Sequence, residues 1–339
     1  MTQIAQPRPH RLDRPVLSLE IVDSSSRLLE IQQEWSSFVE TIAGLTPFQL
    51  PEWLITWWRH FGSGALRVYV FRGGNEMAGV VPCFLHEWNG ARQMTLIGAG
   101  ISDYLEPAAK PEHAIEIVEQ IRLHLETSAE WDICDWQDLS FDTPFKRLAS
   151  EVNEDAPCSA IPLEGSFEQY WERCAQSLRQ NVRRDRAKAE ACGPIRFDVT
   201  ASAEPELIGA LIAMHGARWQ QQNQPGMIEA NGSAEFLREI ALEFASRDRL
   251  RIFSLRFDGK LAAVILAFRY QGRILNYLTG FDPECGRLGF GRTLLYEAIR
   301  YCFEGGYSAW DFLRGDEPYK HWWRAEKIQK TRLRVIRKA

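Results

Sequence analysis

Cysteine is scarce in this sequence, and long apolar runs are missing. The seven cysteines are scattered and form no C-x-x-C pair, which excludes a disulfide framework and a zinc site of the usual spacing. The longest unbroken apolar stretch, residues 261–268, is too short to span a bilayer. The first fourteen residues contain no apolar signal-peptide core. We therefore expect a soluble protein of the reducing cytoplasm, with a loose tail over residues 1–15, no membrane span and no metal site.

Two common site motifs are missing as well. Gly286, Gly289 and Gly291 do not read G-x-G-x-x-G, so a dinucleotide-binding fingerprint is not supported. No nucleophile elbow of the G-x-S-x-G type occurs. The sequence thus points away from a Rossmann oxidoreductase and from a hydrolase of that type.

Charge is unevenly divided along the 339 residues. Residues 1–158 hold 12 Lys and Arg against 23 Asp and Glu, a balance of −11, whereas residues 159–339 hold 28 against 22, or +6. A basic second half favours an anionic cofactor, and the equally acceptable alternative is electrostatic pairing of the two halves. The acidic first half makes a surface for duplex nucleic acid unlikely to form.

Residues 273–323 contain the most informative pattern. An apolar strand is followed by a glycine-containing turn and a helix whose apolar residues, 294, 295, 298, 299 and 302, share one face. Gly305 and Gly306 end that helix, and a second strand follows. A helix N-terminus after a glycine turn is a phosphate-binding geometry. The alternative is a glycine-rich turn that binds no ligand.

The same plan occurs twice in the chain. Three strand-like runs with hairpin turns, a helix and a closing strand occupy residues 66–136 and again 251–311, at an offset near 180 residues. Asp, Pro and Ser cluster over residues 142–162, where hydrophobic periodicity lapses. We predict an α/β (α+β) protein of two lobes, residues 16–158 and 159–339.

Residues 311–320, DFLRGDEPYK, closely resemble the signature of the CelD-like acetyltransferases, relatives of the Fem transferases within the GNAT superfamily. Residues 102–104, 179–184 and 211–219 agree with that family. Gly289 and Gly291 match the acyl-CoA loop, whereas Gly286 stands where the family has Gln or Arg. The resemblance implies two tandem GNAT-like lobes, each a mixed, mostly antiparallel sheet flanked by helices, with acetyl-CoA or another acyl-CoA held by the second lobe.

Site residues follow from this resemblance and from the glycine turn. We assign Gly289, Gly291, Arg292 and Thr279 to the cofactor, with glycine allowing close backbone approach to phosphate. The resemblance gives Tyr319 the role of protonating the leaving thiolate. Asp103 and Asp311 are further catalytic candidates, Asp103 as base or as ligand of the acceptor amine.

Several polar residues are candidates for binding the acceptor: Tyr104, Arg179, Arg183, His215, Arg218, Tyr277, Arg314, Asp316 and Lys320. Arg179 and Arg183 lie one turn apart on a basic helix that suits a phosphorylated ligand, or that simply forms a solvated face. Arg314 and Asp316 belong to a dense cluster of alternating charge, which is equally well explained as a structural ion network. A lone histidine such as His215 is more often structural.

The resulting hypothesis is an acyl-CoA-dependent N-acyltransferase that acts by direct attack of an amine in a ternary complex. The acceptor would be a small molecule or saccharide, such as an amino sugar or a precursor of an exopolysaccharide or envelope polymer, with polysaccharide-synthesis machinery as a partner. One alternative is Fem-like transfer from aminoacyl-tRNA, which the basic helix allows. The other is a catalytically degenerate GNAT-like binding module, which Gly286 supports.

Overall fold

The structure is a computed structural model that describes residues 17–221, 232–282 and 287–337, without the side chains of residues 217–221. The expected loose tail over residues 1–15 and the position of Gly286 lie outside these ranges. Among the described residues, no helix is both long and apolar enough to cross a membrane.

The first half alternates strands and helices around one hairpin series. Its elements are β1 (Ser18–Val22), α1 (Ser25–Glu30), α2 (Gln32–Thr41), α3 (Pro51–Phe61), β2 (Ala65–Gly73), β3 (Glu76–Trp88), β4 (Ala91–Leu96), β5 (Ala108–Ala109), α4 (Ala114–Thr127) and β6 (Ile133–Ser140). Short 3-10 turns lie at Pro47–Gln49 and Pro144–Leu148. The helix α3 begins with Pro51, whose missing N–H costs nothing at a helix start.

The second half begins with a strand that runs through the expected linker. Its elements are β7 (Glu151–Pro162), α5 (Phe167–Arg173), α6 (Gln176–Cys192), β8 (Ile195–Thr200), α7 (Pro205–Gln221), α8 (Ser233–Ser246), β9 (Leu250–Phe257), β10 (Lys260–Tyr270), β11 (Arg273–Phe281), α9 (Phe290–Glu304), β12 (Ala309–Arg314), α10 (Pro318–Trp322) and β13 (Glu326–Ile336). Ser166 and Gln169 form a capping box at the start of α5, whereas α6 begins at Gln176 with Ala175 as its N-cap and no side-chain cap hydrogen bond.

One mixed sheet joins the two halves, in the order β1-β2-β3-β4-β6-β13-β7-β12-β11-β10-β9-β8, with β5 beside β3. Two parallel pairs occur at equivalent places, β4 with β6 and β11 with β12, and the other pairs are antiparallel. The repeated meander, helix and closing strand confirm the predicted fold class of two GNAT-like lobes with mixed, mostly antiparallel sheets.

β13 and β7 connect the strands of the two halves within the sheet. β13, from the end of the chain, pairs with β6 of the first half, and β7 pairs with β12 of the second half. β7 and β13 also pair with each other, and Arg334 of β13 contacts Glu151 of β7 at 3.3 Å. Arg332 of β13 binds Asp135 of β6 at 2.6 Å. The predicted boundary between residues 158 and 159 falls inside β7, and opposite charge joins the halves at this seam.

Two hydrophobic cores cover opposite faces of the second half of the sheet. On one face, the side chains of Trp53, Phe268 and Tyr277 pack against one another between the halves. On the other face, α5, α6 and α9 cover β9 to β12 through residues such as Leu294 and Trp310. Side chains alternate along each strand, so neighbours on β11 and β12 contribute to different cores.

Candidate functional site

A cavity of about 300 Å³ lies beside β11, near the point where β11 and β12 part. The two strands pair in parallel only over Arg273–Leu275 and Ala309–Asp311, and then diverge. The cavity is lined by Ile265, Asn276, Thr279, Phe281, Asp282, Gly289, Phe290, Gly291, Arg292, Leu295, Tyr319, Trp322 and Trp323. Five residues that the sequence predicts for the site, Gly289, Gly291, Arg292, Thr279 and Tyr319, therefore share one cavity.

The glycine turn at the start of α9 forms one wall. Gly289 is the N-cap of α9 with a φ of +68°, a left-handed conformation that favours glycine. The N–H groups of Arg292 and Thr293 both donate to the Gly289 carbonyl, at 3.1 Å. The first N–H groups of a helix have no acceptor within it, so this end of α9 carries partial positive charge toward the cavity.

Arg292 and Thr279 both line the cavity, and each has a partner. The Arg292 guanidinium forms an ion pair with Asp185 of α6, whose side chain is only 9% exposed. The hydroxyl of Thr279 donates to the side-chain oxygen of Asn276 at 3.2 Å. Arg292 remains 31% exposed, so the cavity has one partly accessible cation.

Aromatic side chains of α10 form a further wall. Tyr319 is 38% exposed and Trp322 is 46% exposed, whereas Trp323 is buried. The Tyr319 ring meets Phe312 of β12 edge-on, with centroids 6.0 Å apart. This contact ties the phenol to the strand that diverges from β11.

Lys320 fixes the turn between β12 and α10 and is buried. Its ammonium donates to the carbonyls of Arg314 at 2.7 Å, Gly315 at 3.0 Å and Leu313 at 3.3 Å, and contacts Glu317 at 2.9 Å. An ammonium has three N–H donors, and the three carbonyls of the turn accept all three from Lys320. The ammonium thus holds the turn next to Tyr319, and the contact of Lys320 with substrate stays a prediction.

A cluster of carboxylates lies on the other face of β12, toward the first half. Asp311 is buried, accepts a hydrogen bond from the Tyr104 hydroxyl at 2.9 Å and another from the Leu313 N–H at 2.8 Å. Trp310 and Phe312 point into the opposite core. Burial raises the pKa of Asp311 despite these two hydrogen bonds.

Arg314 joins two further carboxylates of this cluster. Its guanidinium contacts Asp103 at 3.1 Å and Asp138 at 2.8 Å, and it donates to the Ser102 carbonyl at 2.5 Å. Burial raises the pKa of Asp103 to about 6 and that of Asp138 to about 7, with Arg314 opposing both shifts. Asp103 is 17% exposed, so its carboxylate can exchange protons near neutral pH.

Tyr277 and His215 lie behind the cavity. The Tyr277 hydroxyl donates to the Ile101 carbonyl at 3.1 Å, and its ring packs 5.3 Å from that of Trp53. His215 of α7 is buried, with Nδ1 3.5 Å from the carbonyl oxygen of Thr279. Tyr277 projects from β11 on the face opposite α9, and His215 of α7 packs against that face.

The remaining predicted residues are dispersed. Arg179 is half-buried and Arg183 is exposed on α6, and neither lines the cavity. Asp316 contacts His321 at 2.7 Å, in agreement with the structural ion network considered above. The side chain of Arg218 lies outside the described residues.

Sequence reasoning missed Asp185, Asn276 and the Trp322–Trp323 pair. Asp185 is the one acid within the basic run of α6, and it lies at helical spacing from the buried Leu178, Val182 and Ala189. That spacing is a sequence signal for a buried carboxylate. The adjacent tryptophans after the DFLRGDEPYK segment were a second usable signal, because aromatic side chains often line ligand sites.

Comparisons with known proteins agree with this geometry. Residues 176–321 match the acetyltransferase (GNAT) domain family. No curated protein matches the sequence significantly. Among solved structures, FemX superposes with a TM-score of 0.67 at 10% identity, covering 90% of this chain and 96% of FemX.

Two further structures share the fold. L-PGS from Bacillus licheniformis has a TM-score of 0.59 at 12% identity, covering 90% of this chain and 91% of that one. A C-terminal DUF2156 domain from Agrobacterium fabrum, assigned to a putative lysylphosphatidylglycerol synthetase, has a TM-score of 0.59 at 12% identity, covering 91% of this chain and 92% of that one. Such low identities show the fold alone. The family match over residues 176–321 supports an acyltransferase.

Proposed function

We propose that this protein is an acyl-CoA-dependent N-acyltransferase whose donor occupies the cavity beside β11. One observation carries the proposal: within the GNAT-matching segment, the cavity gathers Thr279, Gly289, Arg292 and Tyr319 where β11 and β12 part. The divergence of β11 from β12 beyond Leu275 leaves room for an extended pantetheine arm. The N-terminus of α9 suits the donor phosphates.

The chemistry is a direct transfer. The lone pair of the acceptor amine forms a C–N bond with the thioester carbon, the C–S bond breaks, and the thiolate leaves as CoA. Tyr319, on the wall of the cavity, is the proposed donor of a proton to that thiolate. Asp103 is the proposed acceptor of the ammonium proton, and its pKa of about 6 leaves it mostly ionised at neutral pH. Asp311 holds Tyr104 and orients this face of the site.

The acceptor in this proposal is an amine on a small molecule or saccharide, with an amino sugar of an exopolysaccharide or envelope polymer as the first case to test. The carboxylates Asp103, Asp138 and Asp311 favour an ammonium-bearing ligand over an anionic one. The resemblance of residues 311–320 to the CelD-like enzymes supports the polymer context.

A second candidate is Fem-like transfer from aminoacyl-tRNA. The exposed Arg183 and Arg184 of α6 favour it, because Arg184 is 69% exposed and pairs with the carboxylate of its neighbour Asp185 at 3.3 Å. A stripe of exposed arginines attracts the phosphate backbone of RNA.

An acyl-transfer assay separates these functions. Release of free thiol from acetyl-CoA and longer acyl-CoAs is measured with amino sugars and simple amines, beside transfer of label from aminoacyl-tRNA. We expect thiol release, reduced about a hundredfold by Tyr319→Phe with little change in KM. Tyr307→Phe removes a hydroxyl outside the cavity and serves as the control. Transfer from aminoacyl-tRNA without thiol release would overturn the proposal.

A further inference from the structure

Asp185 places a buried negative charge beside the proposed donor site. It lies on the face of α6 that packs against α9, together with the buried Leu178 and Val182. Its side chain is 9% exposed. The neighbouring positions Arg184 and Arg186 are exposed, so this acid is the buried member of a basic helix.

The carboxylate lies against the start of α9. A Cβ atom built on Gly289 would lie 2.3 Å from one Asp185 carboxylate oxygen and 2.9 Å from its Cβ, so the acid packs directly on the glycine backbone. The same carboxylate forms the ion pair with Arg292, and its other oxygen lies 3.3 Å from Arg184. The N-terminus of α9 favours an anion, and Arg292 is a cation that lines the cavity. Both already lie against the Asp185 carboxylate.

We propose that Asp185 determines how strongly the site holds donor phosphates. This inference rests on the proposed function and extends it to the choice of donor. A phosphate that enters the cavity must draw Arg292 away from Asp185 and must bind near a second negative charge. Asp185 therefore weakens the binding of phosphorylated donors selectively, and leaves the binding of the uncharged pantetheine arm unchanged.

Asp185→Asn tests this selectivity because asparagine keeps the shape and removes the charge. One charge about 6 Å from a phosphate, at an effective permittivity of about 40, changes anion affinity by roughly tenfold. We expect the dissociation constant of CoA to fall about tenfold in calorimetry, and that of pantetheine, which lacks phosphate, to change less than twofold. The gain should shrink as salt is added.

Glu190→Gln provides the matched control. It removes the same charge from the same helix, but Glu190 is 53% exposed and pairs with Arg186, so CoA affinity should change less than twofold. Asp185→Ser is the second variant if asparagine does not fold.

The outcomes separate this inference from the proposed function. Equal or weaker CoA binding in Asp185→Asn, with wild-type binding intact, overturns the role of Asp185 and leaves the acyl-CoA proposal standing. An equal gain for CoA and pantetheine also overturns it, because the effect is then steric. If neither protein binds CoA or pantetheine, both proposals fail.

Discussion

Replacing Lys320 by methionine tests how the site is held together. Methionine keeps most of the apolar stem and removes the ammonium that donates to the carbonyls of Leu313, Arg314 and Gly315 at 2.7–3.3 Å. A charge-assisted hydrogen bond contributes about 1.5–3 kcal/mol, and a stranded buried acceptor costs about 1–3 kcal/mol. These amounts do not add fully. We therefore expect Lys320→Met to lower the free energy of unfolding by about 3–5 kcal/mol.

The assay is urea unfolding followed by tryptophan fluorescence, with Lys327→Met as control. Lys327 is 42% exposed and lies 3.9 Å from Asp316, so its loss should change stability by less than about 0.5 kcal/mol. Because Lys320 directly follows Tyr319 in α10 and its ammonium holds the turn before that helix, activity should also fall at temperatures where the variant is still folded. A loss below about 1 kcal/mol for Lys320→Met would refute the reasoning.

Two further predictions concern the turn at α9 and the carboxylate cluster. Gly289→Ala should destabilise the protein by about 2–3 kcal/mol, since it combines left-handed strain with displacement of Asp185. Gly259→Ala, with φ +76° and open space around it, should lower the free energy of unfolding by about 1 kcal/mol. Equal losses for Gly289→Ala and Gly259→Ala in thermal unfolding would contradict the packing argument. Burial raises the pKa of Asp138 to about 7, so the folded state keeps a proton that the unfolded chain loses above about pH 4. The free energy of unfolding should therefore fall by on the order of 4 kcal/mol as the pH rises from 4 to 7, and should change little above pH 7. Asp138→Asn should flatten this dependence, and an unchanged slope in denaturation at stepped pH would contradict the assignment.

Local patterns predicted the cavity walls well. Gly289, Gly291 and Arg292 follow from a glycine turn before an amphipathic helix, and Tyr319 from the resemblance of residues 311–320 to the CelD-like enzymes. Such features depend on neighbours in the chain, and a sequence pattern records them directly. The roles of these residues remain proposals.

Contacts between residues that lie far apart in the sequence could not be predicted from local patterns. β7 reads as a linker because Glu, Asp, Asn and Pro disfavour strands, yet it pairs with β12 on one side and β13 on the other. Tertiary pairing outweighed local propensity there. Nothing in the sequence shows that the turn before Lys320 supplies three carbonyls to its ammonium. Asp185 is flanked by arginines, so this segment of α6 reads as a basic helix and the sequence does not single out the acid.

The central claim is that the cavity beside β11 binds an acyl-CoA donor, and calorimetric titration of the purified protein with CoA tests it most directly. Gly291→Asp places a carboxylate in the first turn of α9, where it suits the helix dipole and opposes a phosphate. Ile115→Asp adds the same charge to the first turn of α4, at a side chain 45% exposed. We predict saturable one-site binding in the wild type and in Ile115→Asp, and loss of this binding in Gly291→Asp. Absence of binding at millimolar CoA, or equal binding in all three proteins, would contradict it.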